Sequence, residues 1–319
     1  MARYIRNTAI LAKVETTEGT DAVPTGAANA LLVSDVSINP LNAQNVSRDL
    51  IRAYFGGSEQ LVGTAYKEVT FTVELAGSGT AATAAPWGAL MQASGFAETV
   101  GASWVGYAPA APSAQKSATI YYYDDGVLHK LLGAKGTFRL SATVGGRPTL
   151  AFTFIGLDGG DTAATNPSTT LTPWKRPAVV TNANSGDVTF GGTYASGAVT
   201  GGTVYTSRGL ELDLGNAVNF TPMLGAEYVD ITAREVTGSL QLDLSDTQEV
   251  TFMGNVKSNT TQAISLQHGT AAGGIVGIYM AAAQLINPSK QEANGRRLIG
   301  FDLRSVPVAG NDDLIIYTK

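Results

Sequence analysis

The chain is 319 residues long, with 44% hydrophobic and only 15% charged side chains, 37 glycines and no cysteine, against about 25% charged residues in an ordinary soluble domain. That balance excludes intrinsic disorder, and glycine without a three-residue period excludes a collagen-like chain. The missing cysteines remove disulfides, thiolate metal sites and cysteine nucleophiles, and a net charge of −5 argues against a protein that clamps nucleic-acid phosphates.

At the N-terminus, Arg3 and Arg6 precede a short apolar patch that ends at Lys13. A secretory signal needs an apolar run of about 7–15 residues, so a chain folding in the cytosol is expected. Residues 66–75 alternate strictly, with Val69, Phe71, Val73 and Leu75 on one side and Glu68, Thr70, Thr72 and Glu74 on the other. This is the pattern of a half-buried strand. Residues 85–96 predict a short helix, with Pro86 near its start, Gly95 near its end and Trp87, Leu90 and Met91 on one face. A meander follows: 118–123, the turn Asp124-Asp125-Gly126, then 127–132, 136–144 and 149–155.

Residues 161–204 are rich in Gly, Thr, Asn, Ser and Pro and read as a connector with one strand signal near Val188. Beyond it, strands are predicted at 209–214, 231–236, 239–244, 263–267, 274–280, 298–303 and 313–317. A helix is predicted from Asp246, with Ser245 and Gln248 spaced as a capping box. The longest apolar stretch, 274–286, is interrupted by Gln284 and falls short of the roughly 20 residues of a membrane span.

Lys67-Glu68-Val69-Thr70 recurs as Arg234-Glu235-Val236-Thr237, each alternating on to a leucine, Leu75 or Leu242, and each soon followed by a short helix. We read this as an internal duplication. The expected fold is mainly β: two tandem sandwich or barrel-forming units, 1–160 and 205–319, joined by the connector 161–204, each with one short flanking helix.

Signals of chemistry are sparse. The only histidines are His129, at a strand position, and His268, in a turn, and no nucleophile-elbow, phosphate-loop or zinc-protease motif occurs. Asp124-Asp125-Gly126 and the 158–161 run lack the ligand spacing of a calcium loop. Tyr121, Tyr122 and Tyr123 alternate faces and read as packing residues. No catalytic, cofactor or metal site is expected. The segment 41–63, with Arg48, Asp49, Arg52, Tyr54 and Phe55, is long enough to be a functional loop.

Four stretches together carry a resemblance. They are 9–32, with Ala9, Gly19 and Asp21; 73–96, with Gly77, Gly79 and the Pro86-Trp87-Gly88 start of the helix; 125–156, with Gly126, Gly133, Gly146-Arg147-Pro148 and Phe152; and 310–317, with Asn311, Asp312 and Asp313. In these the chain resembles the major tail tube proteins of long-tailed, non-contractile bacteriophages. The resemblance implies a β-sandwich with a flanking helix, whose copies close into rings around an inner β-barrel and stack into a genome conduit. It implies tape measure, tail terminator and tail tip proteins as partners, viral DNA in transit without specific binding, no membrane insertion, and a place in the virion tail after assembly in the host cytoplasm.

A duplicated subunit of this type implies a trimeric ring with quasi-sixfold symmetry. Closure into a barrel removes unpaired strand edges, and an acidic lumen keeps phosphates from adhering. Glu68, Glu74, Glu211, Asp213, Glu235 and Asp243 are the lumen-facing candidates. The loop holding Arg48, Asp49, Arg52, Tyr54 and Phe55 corresponds to the one that contacts the neighbouring ring. The competing readings are a glycan-binding β-sandwich module or adhesin, and the inner-tube protein of a phage-tail-like secretion apparatus.

Overall fold

The computed structural model describes residues 3–319. In the first half the elements are β1 (Thr8–Val14), α1 (Gly26–Asn29), β2 (Ala30–Leu31), β3 (Val33–Ser47), β4 (Gln60–Glu74), α2 (Gly88–Ala93), β5 (Phe96–Val100), β6 (Val105–Pro109), β7 (Ala118–Asp124), β8 (Val127–Thr143) and β9 (Thr149–Ala163). The second half holds β10 (Val188–Phe190), β11 (Thr193–Ala195), β12 (Ala198–Thr200), β13 (Thr203–Tyr205), β14 (Ser207–Asp213), β15 (Asn216–Met223), β16 (Ala226–Arg234) and β17 (Thr237–Leu242). Then come α3 (Asp246–Lys257), β18 (Thr261–His268), β19 (Val276–Ala293), β20 (Arg296–Ser305) and β21 (Ile315–Thr318). The fold is mainly β, as the alternating sequence requires.

Every ladder between these strands is antiparallel. In the first half the pairing runs β3–β4–β9–β8–β7–β1. In the second it runs β14–β17–β20–β19–β18–β10. The order is the same, and α2 and α3 each follow the second strand of their series, while the first half carries the additional one-turn helix α1 where one helix per half was expected. One ladder joins the halves: β14 pairs with the end of β8, Leu210 opposite Ala142 and Asp213 opposite Arg139. The C-terminal strand β21 adds a second link by pairing with β6.

The core follows from the alternation. Val69, Phe71 and Val73 of β4 meet Phe138 and Leu140 of β8 and Leu150, Phe152 and Phe154 of β9, all at most 1% exposed. Phe71, Phe138, Phe152 and Phe154 have ring centroids 5.5–6.0 Å apart. A side chain at Gly136 would meet the Phe154 ring and the Thr153 carbonyl at 2.5 Å, so this strand position accepts only glycine. Asp125 and Gly126 adopt φ of 40° and 97°, the left-handed pair that a two-residue hairpin between β7 and β8 needs. At α3 the Ser245 hydroxyl accepts from the Gln248 amide at 3.3 Å, and the Gln248 side chain accepts from the Ser245 amide at 2.9 Å.

The recurring basic residue is ion-paired in both halves, fully buried in the first and partly buried in the second. Lys67 is fully buried and its Nζ lies 2.7 Å from Asp158 and 2.5 Å from Asp161. Arg234 donates two hydrogen bonds, 2.9 and 2.8 Å, to Asp313 just before β21. Burial alone would raise the Asp161 carboxyl, but hydrogen bonds from Lys67 and His129 outweigh it and hold it below the usual range.

The structure extends several sequence expectations. Residues 127–144, read as two strands, are one strand bulged near Gly133 and Ala134. About half of 41–63 is strand, 41–47 and 60–63, leaving 48–59 as the loop. The 161–204 connector begins inside β9 and carries β10 to β13, with Tyr194 stacked 5.5 Å from Tyr279 and 5.3 Å from Tyr317.

His268, at the end of β18 rather than in a turn, is buried. Its Nδ1 lies 2.8 Å from the Ser185 hydroxyl and its Nε2 3.0 Å from the Ala178 carbonyl. A neutral ring satisfies both, accepting from Ser185 and donating to Ala178. Desolvation lowers its pKa below the ordinary 6.5, opposed in part by the bond to Ala178. The unfolded chain therefore binds this proton first on acidification, and the stabilisation, full above pH 6.5, declines as pH falls below it. We predict that the urea midpoint falls between pH 7 and pH 5, and that His268→Gln flattens this slope.

Candidate assembly surface

Eight strands form one continuous antiparallel sheet across both halves, in the order β3–β4–β9–β8–β14–β17–β20–β19. Its two faces differ. One buries Val69, Phe71, Phe138, Leu140, Phe152, Leu210, Leu212, Leu240, Phe301 and Leu303. The other carries Thr70, Thr72, Thr137, Ser141, Thr153, Ser239 and Gln241, partly or fully open to solvent. Residues paired directly across strands point to the same face. Glu74, Thr149, Ser141, Glu211, Ser239 and Asp302 therefore form one row, and Thr72, Ala151, Arg139, Asp213, Thr237 and Arg304 a second.

Glu68, Glu74, Glu211 and Asp213 lie on the polar side of this sheet by register, Glu235 and Asp243 flank β17 just outside the strands, and four of the six are ion-paired. Asp213 accepts from Arg139 at 2.7 Å, Glu74 from Arg147 at 2.9 Å and Glu235 from Arg304 at 2.8 Å, while Asp243 pairs with Arg296. Glu211 accepts a bond from Ser141 at 3.3 Å. The face is a mosaic of both signs rather than an acidic wall. The arginines were missing from the sequence reading, although alternation in 136–144 and 298–303 was enough to place Arg139 beside Ser141 and Arg304 beside Asp302.

The outer edges of this sheet are open. Among the described residues β3 pairs with β4 alone. β19 pairs with β18 only as far as Gln284, so beyond it the strand has β20 on one side and, among the described residues, no strand on the other. The sequence reading placed no strand on either edge. At 285–293 the run Asn287-Pro288-Ser289-Lys290-Gln291-Glu292 has low strand propensity. At 33–39 the alternation is broken by a bulge, with Asp35 at φ 52°.

The five loop candidates lie together at the tip of the β3–β4 hairpin. Arg48 and Arg52 both pair with Glu59, Arg52 at 3.2 Å. The Ser47 hydroxyl donates to Asp49 at 2.6 Å, and the Arg52 guanidinium sits 6.0 Å above the Tyr54 ring. Phe55 is fully exposed and Tyr54 is 68% exposed, beside exposed Leu50 and Ile51. An apolar cluster of this kind marks a surface that meets another molecule. Of the hairpin β15–β16 only the end, 231–234, falls in an expected strand; the hairpin's tip exposes Met223 and Leu224.

Elsewhere, Glu15 accepts from the hydroxyls of Ser117 and Thr119 at 2.6 and 2.7 Å and from two backbone amides, which fixes the start of the chain against β7. Among the described residues no group of three or more His, Asp or Glu side chains is placed to hold a metal, and no helix is long and apolar enough to cross a membrane.

Exposed ion pairs contribute about 0–1 kcal/mol, whereas deleting a buried phenyl ring costs about 3–5 kcal/mol. Arg139→Met should therefore shift the unfolding free energy by less than about 1 kcal/mol. Phe138→Ala, on the other side of the same strand, should cost about 3–5 kcal/mol. Chemical denaturation of the two variants checks the contrast.

A family model described as phage tail tube protein matches residues 5–316. No curated protein matches the chain.

Proposed function

The chain belongs to the phage tail tube protein family, a structural component of the virion tail, and we propose that three copies close into a ring and that rings stack into the tail tube of a non-contractile, long-tailed phage. The observation that carries this reading is the eight-stranded sheet with both outer edges unpaired. Unpaired edges invite further strands, and joining them head to tail into a barrel removes them. The family points to a structural, non-enzymatic role.

The repeated strand order and the ion-paired Lys67 and Arg234 at matching sequence places support a duplicated tube unit, with halves near 1–160 and 205–319 about the 161–204 segment. Three copies bring 24 strands, from eight in each. At about 4.8 Å between strands tilted by about 35–45°, the barrel is about 45–50 Å across its backbone, wide enough to pass duplex DNA. α2 and α3 pack through Leu90, Met91 and Phe252 on the apolar side of the sheet, so that bulk belongs on the outside, where the circumference is larger, and the polar face lines the lumen. Glu68, Glu74, Glu211, Asp213, Glu235 and Asp243 then face the conduit, four of them beside arginine partners. Such a mosaic of both signs offers phosphates no uncompensated cationic track.

The loop tip with Arg48, Asp49, Arg52, Tyr54 and Phe55 meets the next ring in the stack. Tape measure, terminator and tip proteins complete the tail, assembly takes place in the host cytoplasm, and DNA passes without specific binding.

Three copies of the 33.0 kDa chain give a ring of about 99 kDa, which native mass spectrometry should detect as the smallest closed species. A chain that remains monomeric at high concentration, with or without tail initiation proteins, contradicts the reading. Deleting 45–58 should leave rings and abolish tubes, scored by negative-stain microscopy, and tubes of normal length from that deletion would assign the loop another role.

A further inference from the structure

Resting on the ring reading above, we propose that copies join in the register the chain already uses inside itself: the open edge at 33–39 adds to 285–293 of the next copy as β14 adds to β8. The surface takes a second copy of this chain, and the two halves supply the correspondence residue by residue.

Aligning Lys67 with Arg234 aligns Thr72 with Ser239 and Glu74 with Gln241. Thr72 pairs with Ser34, and Ser239 pairs with Glu211, so Ser34 occupies the place of Glu211. Glu74 leads through Thr149 to Ser141, and Gln241 leads through Gly300 to Ser289, so Ser289 occupies the place of Ser141. Within the chain Glu211 stands opposite Ser141. Between copies, Ser34 then stands opposite Ser289 of the next copy, and Ser37 opposite its Ile286.

Both free edges carry an irregularity at the same row. β3 shifts register between Ser34 and Ser37, and β19 between Ile286 and Ser289. In this register the two bulges face each other. Pro288, which has no N–H to offer, falls where neither strand keeps a regular ladder.

The hairpins agree with this arrangement. The β15–β16 hairpin, which follows β14, is seated on the first half: Phe220 lies 5.2 Å from Tyr66, Asp230 is 3.3 Å from Lys135, and Asn216 donates 2.8 Å bonds to the Ser94 and Gly136 carbonyls. The hairpin that continues β3 has no comparable seat and leaves Leu41, Val46, Leu61 and Val62 about half or more exposed. Across the joint it reaches the second half of the next copy, where Val308 is 69% exposed.

The natural chain has no cysteine, so the register can be trapped. Ser34→Cys and Ser289→Cys in one chain, oxidised mildly after assembly, should give a covalent ladder ending at three copies, with each single variant remaining uncrosslinked. Moving the second site by one residue, Ser34→Cys with Lys290→Cys, turns the side chains to opposite faces and should lower the yield at least tenfold. Leu32→Cys with Gln291→Cys tests the next row on the same face. Rings that crosslink through neither same-face pair, or dimers formed by Ser34→Cys alone, overturn the register while leaving the ring reading intact. A ladder running to six upholds the register and overturns the count of three. Variant and wild-type chains that both stay monomeric remove the ring reading and the register with it.

Discussion

A β-strand has hydrogen-bonding groups on both sides, and the outermost strands of any open sheet leave one row unused. In this protein that constraint falls on two short segments, the outer side of β3 and the end of β19, at opposite borders of one eight-stranded sheet. Neither segment is covered by a helix, and both are bulged rather than long and flat. Bulges twist an edge and limit indiscriminate pairing, so these borders suit a partner of matching irregularity. The β8–β14 ladder shows that a strand of one half can add to the sheet of the other.

The remaining features serve to hold this sheet in shape. The phenylalanine cluster of β4, β8 and β9 fills one face. Buried Lys67 ties β4 to Asp158 and Asp161 of β9, and Arg234, at the end of β16, pairs with Asp313 before β21. A buried cation stripped of its partner is costly, so the Lys67 pairs help hold β4 against β9. The β6–β21 ladder and the His268 clamp on Ser185 and Ala178 bind the halves and the intervening segment together. The polar face, by contrast, is held by exposed ion pairs that add little stability. Its composition is therefore free to answer to whatever passes over it.

Much of this was legible in the sequence, and the exceptions have physical causes. Strict alternation at 66–75 placed β4 and both its faces correctly, Ser245 and Gln248 announced α3, and Asp125-Gly126 announced the β7–β8 turn. The split of 127–144 into two strands arose from Gly133 and Gly136, which read as breaks. One lies at a bulge and the other is a strand position where the Phe154 ring leaves no room for a side chain. Of the β15–β16 hairpin only the end, 231–234, was legible, because the rest alternates poorly. The two open edges were missed for the reason that makes them interesting: they are polar, bulged and half-solvated in the isolated chain. Period alone put the acids on polar strand faces, but the arginine partners of four of them come from other segments, and such pairing is a tertiary property.

The central claim is that the borders of this sheet are completed by other copies of the same chain. Amide hydrogen exchange at 33–39 and 285–293, compared between isolated chains and assembled particles, tests it directly, because exchange reports the opening of individual backbone hydrogen bonds. Fast exchange in the isolated chain that becomes slow in both segments together on assembly is the expected result. Slow exchange already present in isolated chains, or unchanged fast exchange in assembled particles, would contradict it.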